Sequence, residues 1–168
     1  GRMAMVGCTD ANRPIIEDSY RFILDTLDPH VRKMEYLFGS RPSLADFGFY
    51  GQLQILSVDP TPAAEMRTRA PDVFCWLMRL DDASGVEGTW IDAAAPLPQG
   101  TAALLKHAGE TYLPFLAANA RALQEGAETF EVELLGQPFA QAPFRYQGKC
   151  FDALHKRLAA LPASVRQR

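Results

Sequence analysis

The side chains able to do chemistry in this sequence are few, and they are scattered. His30, His107 and His155 lie far apart, with no grouping of His, Cys and carboxylate at the spacing a metal ion needs. No metal site is therefore predicted. Cys75 precedes Trp76 on a segment with core-helix patterning, which predicts an inert buried thiol. Cys150 begins a terminal helix beside Lys149, a setting in which a thiol becomes reactive. Asp81-Asp82 and the set Glu128, Glu131, Glu133 could imitate an acid pair, but a helix end and the wet face of a strand account for them. There is no Gly-rich phosphate loop, no Gly-x-Ser-x-Gly and no local support for a Ser/His/Asp arrangement. Tyr20, Tyr50, Tyr112 and Tyr146 could line an apolar pocket with their hydroxyls toward a ligand, although a core position with a satisfied hydroxyl is the commoner use. Arg13 and Arg145 could hold a carboxylate, but solvated surface arginine is the ordinary case. Arg13, Tyr20, Tyr50 and Tyr112 are thus the candidate substrate-binding residues. No residue is assigned a catalytic role.

The elements that must position these groups centre on Tyr36 to Leu56. Leu37-Phe38-Gly39 ends an apolar run with the residue that most cheaply closes a helix C-terminus. Ser43-Leu44-Ala45-Asp46 then reads as a helix start. Ser43 and Asp46 form a capping box with Asp in place of Glu, and Pro42 and Phe47 sit where a hydrophobic staple would close. The helix beyond is apolar nearly all round through Leu44, Phe47, Phe49, Leu53, Ile55 and Leu56. Such a helix is expected to be buried on all sides, and Gly48 and Gly51 suggest that another helix approaches it closely.

Upstream, Asn12 is the expected cap of a first helix with Pro14 in its first turn. Asp28-Pro29 should kink that helix or break it in two, the second piece running over Val31, Met34 and Leu37. Downstream, Thr61 is the expected cap of a short helix from Pro62 to Arg69. Val73, Trp76, Leu77 and Leu80 recur at i, i+3, i+4 and i+7, a core face. Pro114 should split the periodic run that starts at Thr101. Phe130, Val132 and Leu134 alternate with Glu131 and Glu133 as a strand, Leu135-Gly136-Gln137 is a hairpin turn, and Arg145 to Leu161 closes as a last helix.

The phrase Phe38-Gly39-x-x-Pro42-Ser43-x-Ala45-Asp46-Phe47 resembles the signature of the C-terminal, all-helical domain of glutathione transferases. Ala70 to Leu77 is similar to that domain's next core helix, with a Pro near its start and an inward Trp. Together the two motifs cover roughly residues 12 to 85, and the rest bears a looser likeness to a bacterial branch of transferase-like proteins. The resemblance implies a mainly α fold: a glutathione transferase C-terminal-like helical core over residues 1–88, with a helical and β-hairpin extension over 89–168 packed on the same core. It implies that Ser43 and Asp46 serve folding. It also implies a separate thioredoxin-like N-terminal domain as partner, glutathione as co-substrate of a longer protein, and a homodimer. No βαβ segment is present to supply a thiol-activating Tyr, Ser or Cys.

Composition narrows the classes further. In 168 residues, 48% hydrophobic content supports a real core, and a net charge of −3 with no Lys/Arg block argues against a nucleic-acid footprint. No apolar run approaches the ~20 residues of a membrane span, and no signal peptide opens the chain. Three scattered cysteines suit reduced thiols, hence a cytoplasmic location. The expected function is the helical substrate-side domain of a glutathione transferase-like protein, inactive without its thioredoxin-like half, and the chain reads as a fragment of a longer one. The alternative is a non-catalytic module of the same fold used for protein assembly.

Overall fold

A computed structural model describes residue 3 and residues 6–166. It is mainly helical, with a small two-stranded antiparallel ribbon. The helices are α1 (Arg13–Lys33), α2 (Leu44–Val58), α3 (Pro60–Arg69), α4 (Pro71–Asp81), α5 (Gln99–Glu110), α6 (Tyr112–Glu125), α7 (Arg145–Ala160) and the short α8 (Ala163–Arg166). The strands β1 (Phe130–Leu134) and β2 (Gln137–Gln141) lie between α6 and α7. By internal contacts the chain forms two compact units. One runs to Asp18 and resumes at His107; the other is Ser19–Lys106.

In the unit Ser19–Lys106, Leu24, Leu27 and Val31 of α1 meet Leu53 of α2, Met66 of α3 and the inward face of α4. That face is Val73, Trp76, Leu77 and Leu80, all buried at the spacing read from the sequence. The indole N–H of Trp76 is buried without a partner, at a cost of about 1–3 kcal/mol. Pro29 does not break α1, which is continuous to Lys33 and stops before Leu37. Proline removes one backbone bond from the helix, and tertiary bonds beside it hold the geometry. The Asp72 N–H donates to Asp28 Oδ1 at 2.9 Å, so Asp28 caps α4 from across the unit, while Arg32 bridges Asp28 and Asp72 at 2.6 Å each. The cap of α3 is Asp59, which accepts from the Thr61 N–H at 3.2 Å, so that helix starts at Pro60 and Thr61 is not its cap.

Gly39 is not a helix C-cap. Helix α1 has already ended, and Gly39 sits at φ +136 in a turn that pairs with Trp90. A Cβ there would come within 2.4 Å of the Thr89 carbonyl, so this approach requires glycine. The turn meets α2 through Asp46, which is fully buried. Both arms of the capping box are present, and the carboxylate carries most of it. Asp46 Oδ2 accepts from the Ser43 N–H at 2.7 Å and from the Ser43 hydroxyl at 2.5 Å. Its Oδ1 accepts from the Leu37 N–H at 2.8 Å, a third bond that local sequence spacing does not contain.

In the other unit, the ribbon pairs Phe130 with Gln141 and Leu134 with Gln137, leaving Leu135-Gly136 as a two-residue turn with both φ positive. Phe115 of α6 sits 5.6 Å from the Phe130 ring and 5.7 Å from Phe139, and Ile15 completes this smaller core. Asn12 does not cap α1. Its amide reads the backbone of Ala140 at both ends, donating to the carbonyl at 2.8 Å and accepting from the N–H at 3.2 Å. Asn119 does the same to Phe144, at 3.1 and 2.7 Å. Two buried asparagines thus occupy backbone groups that would otherwise lack partners, Asn12 on the ribbon at Ala140 and Asn119 on the residue that precedes α7.

Candidate functional site

A recess of about 400 Å³ lies within the unit Ser19–Lys106, along the last turns of α1 and the start of α5. Thr26, Pro29, His30 and Lys33 form one wall, and Gln99 and Gly100 form the other. Because Pro29 has no N–H, the Asp25 carbonyl lacks its helical donor and that wall stays polar. The Asp25 carboxylate is engaged by Arg69 at 2.9 and 3.0 Å. His30 is 7% exposed, and its Nε2 stands 3.2 Å from the Tyr36 carbonyl. A carbonyl only accepts, so Nε2 is the donor of this bond and Nδ1 is the ring nitrogen left toward α5. The ring packs so tightly on α5 that a Cβ at Gly100 would fall 2.8 Å from Nδ1. The first turn of α5 is fixed by the Thr101 hydroxyl, which donates to the Leu37 carbonyl at 2.7 Å. This arrangement can hold a small ligand with a polar tip. It presents no nucleophile with an adjacent base.

The four candidate binding residues are elsewhere. Arg13 is exposed and ion-paired with Asp10. The Tyr20 hydroxyl donates to the Pro62 carbonyl at 2.9 Å; burial, then the charge of Glu65, pushes its pKa up to about 12. The Tyr50 hydroxyl donates to the Asp81 carboxylate, and that bond, ahead of desolvation, raises its pKa. Tyr112 is 45% exposed, and burial of its hydroxyl beside Cys150 raises its pKa. Tyr20 and Tyr50 pack on one core, whereas Arg13 and Tyr112 belong to the other unit, and none of the four lines the recess. Cys75 is exposed, not buried as its neighbour Trp76 suggested, because the helix turns that edge outward. Phe151 and His155 stack edge to face at 4.3 Å, and His107 is buried, which lowers its pKa against the opposing effect of Glu110.

The larger surprise is α2. Its side toward the core is Asp46, Leu53 and Ser57, with Phe49, Tyr50 and Leu56 half-buried. The opposite side is open: Leu44 is 85% exposed, Phe47 43%, Ile55 62% and Val58 70%. A side chain at Gly48 or Gly51 would meet nothing within 4 Å, so among the described residues no helix approaches them. At 100° per residue these six positions fall within one arc about 100° wide and roughly 21 Å long. Asp46, the single charged residue of α2, is on the buried side. The stripe is thus a contiguous, uncharged apolar surface, unlike the singly scattered apolar residues of an ordinary exterior.

Compared with known proteins, the chain matches no family model, no curated protein and no solved structure. Among the described residues no helix is long and apolar enough to cross a membrane, and no group of His, Cys, Asp and Glu is arranged to hold a metal ion.

Proposed function

We propose that this chain is a non-catalytic helical module that works by docking a protein partner on the open face of α2. The observation carrying this reading is that stripe: Leu44, Phe47, Ile55 and Val58 exposed on a helix whose start is locked by a buried carboxylate. The engaged hydroxyls of Tyr20 and Tyr50 agree with it, since both are committed to structural bonds. The sequence resemblance to the glutathione transferase C-terminal domain belongs to the same reading. On it, a thioredoxin-like domain is one partner that could cover the stripe.

The recess at His30 favours a second reading, the helical substrate-side domain of a glutathione transferase-like protein. The His30 ring, the Lys33 ammonium and the first turn of α5 would orient a polar-tipped ligand, with glutathione bound by the thioredoxin-like half. The two readings separate by assay. On the module reading, the isolated chain gives no conjugation of glutathione to a chloronitrobenzene above the uncatalysed rate, and Ile55→Glu, at an exposed site, leaves the fold intact but lowers binding of an apolar dye such as anilinonaphthalene sulfonate. Turnover that co-purifies with the chain and falls on His30→Ala would refute it.

A further inference from the structure

The open stripe of α2 is symmetric in sequence. Counted from Gly51, Phe47 and Ile55 lie four residues away on either side, and Leu44 and Val58 lie seven away. Two copies of the helix laid antiparallel, with a two-fold axis over Gly51, bring Leu44 of each copy against Val58 of the other and Phe47 against Ile55. This is the isologous, self-complementary arrangement that closes a dimer. We infer that the occupant of this face is a second copy of this chain, paired α2 to α2 about Gly51. The inference rests on the module reading and names its partner.

Two further features favour a second copy. Gly51 on the axis and Gly48 beside it leave the centre of the stripe hollow, so the backbones can approach while the larger side chains close the ends. No charge lies on the exposed arc, so the like charges that would oppose each other across a two-fold axis are absent. From their fractional exposures the stripe residues leave on the order of 500 Å² open per copy, so the pair would remove at most about 1,000 Å², in the range of weak, transient interfaces. That area fits a dimer of modest affinity whose population changes with concentration.

The test is sedimentation velocity of the 168-residue chain from 1 to 200 µM, combined with site-specific crosslinking. The expected result is a monomer–dimer equilibrium that Ile55→Glu or Phe47→Glu weakens at least tenfold, with unchanged helical circular dichroism. In a chain whose three native cysteines are serine, Gly51→Cys should form an intermolecular disulfide under mild oxidant. Leu44→Cys alone should not, yet it should crosslink to a copy carrying Val58→Cys. A chain that stays monomeric at 200 µM overturns the inference, as does a dimer that survives Ile55→Glu or crosslinks equally through Leu44→Cys alone. If such a monomer still binds apolar dye through the stripe, the module reading stands with another partner. If Ile55→Glu changes neither dye binding nor association, both fall together.

Discussion

Replacing Asp46 by alanine tests the structure at its most connected point. The substitution leaves the Leu37 and Ser43 N–H groups without their acceptor, while the Ser43 hydroxyl can rotate elsewhere. A hydrogen bond to a charged group contributes about 1.5–3 kcal/mol net, so two lost N–H partners amount to roughly 3–6 kcal/mol. Removing the carboxylate also relieves the cost of having buried it, which offsets part of this sum. The expected loss is about 2–4 kcal/mol, or roughly 5–15 °C in Tm for a chain of this size. That exceeds the ~1 kcal/mol of a simple N-cap, because the Leu37 bond ties the preceding turn to the helix start. Asp46→Asn should cost less than Asp46→Ala, since its amide oxygen can still serve one N–H while its NH₂ group faces a donor. Ser43→Ala should cost least, as it removes a hydroxyl and keeps the backbone N–H bonded. Urea unfolding followed at 222 nm, with m held constant, reads all three. Refutation would be Asp46→Ala within 0.5 kcal/mol of the parent, or a loss from Ser43→Ala as large as that from Asp46→Ala.

Further outcomes follow from the same structure. Asn119→Ala should destabilise by about 2–4 kcal/mol in the same melts, because two backbone groups of Phe144 lose their partners; a loss below 0.5 kcal/mol would contradict that pairing. Leu135→Asn should raise stability by several tenths of a kcal/mol, since Leu135 holds φ +52 in the hairpin turn and asparagine tolerates that region better. Tyr20 has a folded pKa near 12 against 10 unfolded. Its contribution is therefore complete below pH 10 and declines as pH rises toward 12, and Tyr20→Phe should flatten that alkaline decline in melts across the range. For His107 the sign reverses: burial lowers its pKa, so its contribution is present above pH 6.5 and is lost on acidification. His107→Gln should reduce the loss of stability below pH 6.5.

What the sequence disclosed was local. The Ser43–Asp46 pair, the core face Val73–Trp76–Leu77–Leu80 and the alternating strand from Phe130 to Leu134 each declare themselves within eight residues, through spacings set by helix or strand periodicity. Two of the misreadings involve partners that are distant in the chain. Asp28 caps a helix 44 residues away, which is why Pro29 does not break α1. Asn12 reads as a helix cap because asparagine is among the favoured capping residues, but it is spent on Ala140, 128 residues on. The recess at His30 had one local signal, a proline inside a helix, and one non-local requirement, a glycine where α5 passes the imidazole. Neither suggests a pocket until both are brought to the same place.

The case of α2 is different in kind, because its sequence states which surfaces are apolar and not what covers them. Apolar residues all around a helix state that every side has something to cover. They do not state that this chain supplies every cover. The core side is satisfied by Leu53, with Phe49, Tyr50 and Leu56 packed against the same cluster, and the outer side is left to Leu44, Phe47, Ile55 and Val58. An isolated 15-residue helix with half its apolar surface in water would be marginal, since most helical stability in proteins comes from packing. The buried Asp46 carboxylate answers that weakness by fixing the N-terminus to the turn before it. The helix can therefore keep its shape while one face stays uncovered. A face held in shape before its partner arrives loses less freedom on docking, and that preorganisation lets an interface of at most about 1,000 Å² be specific.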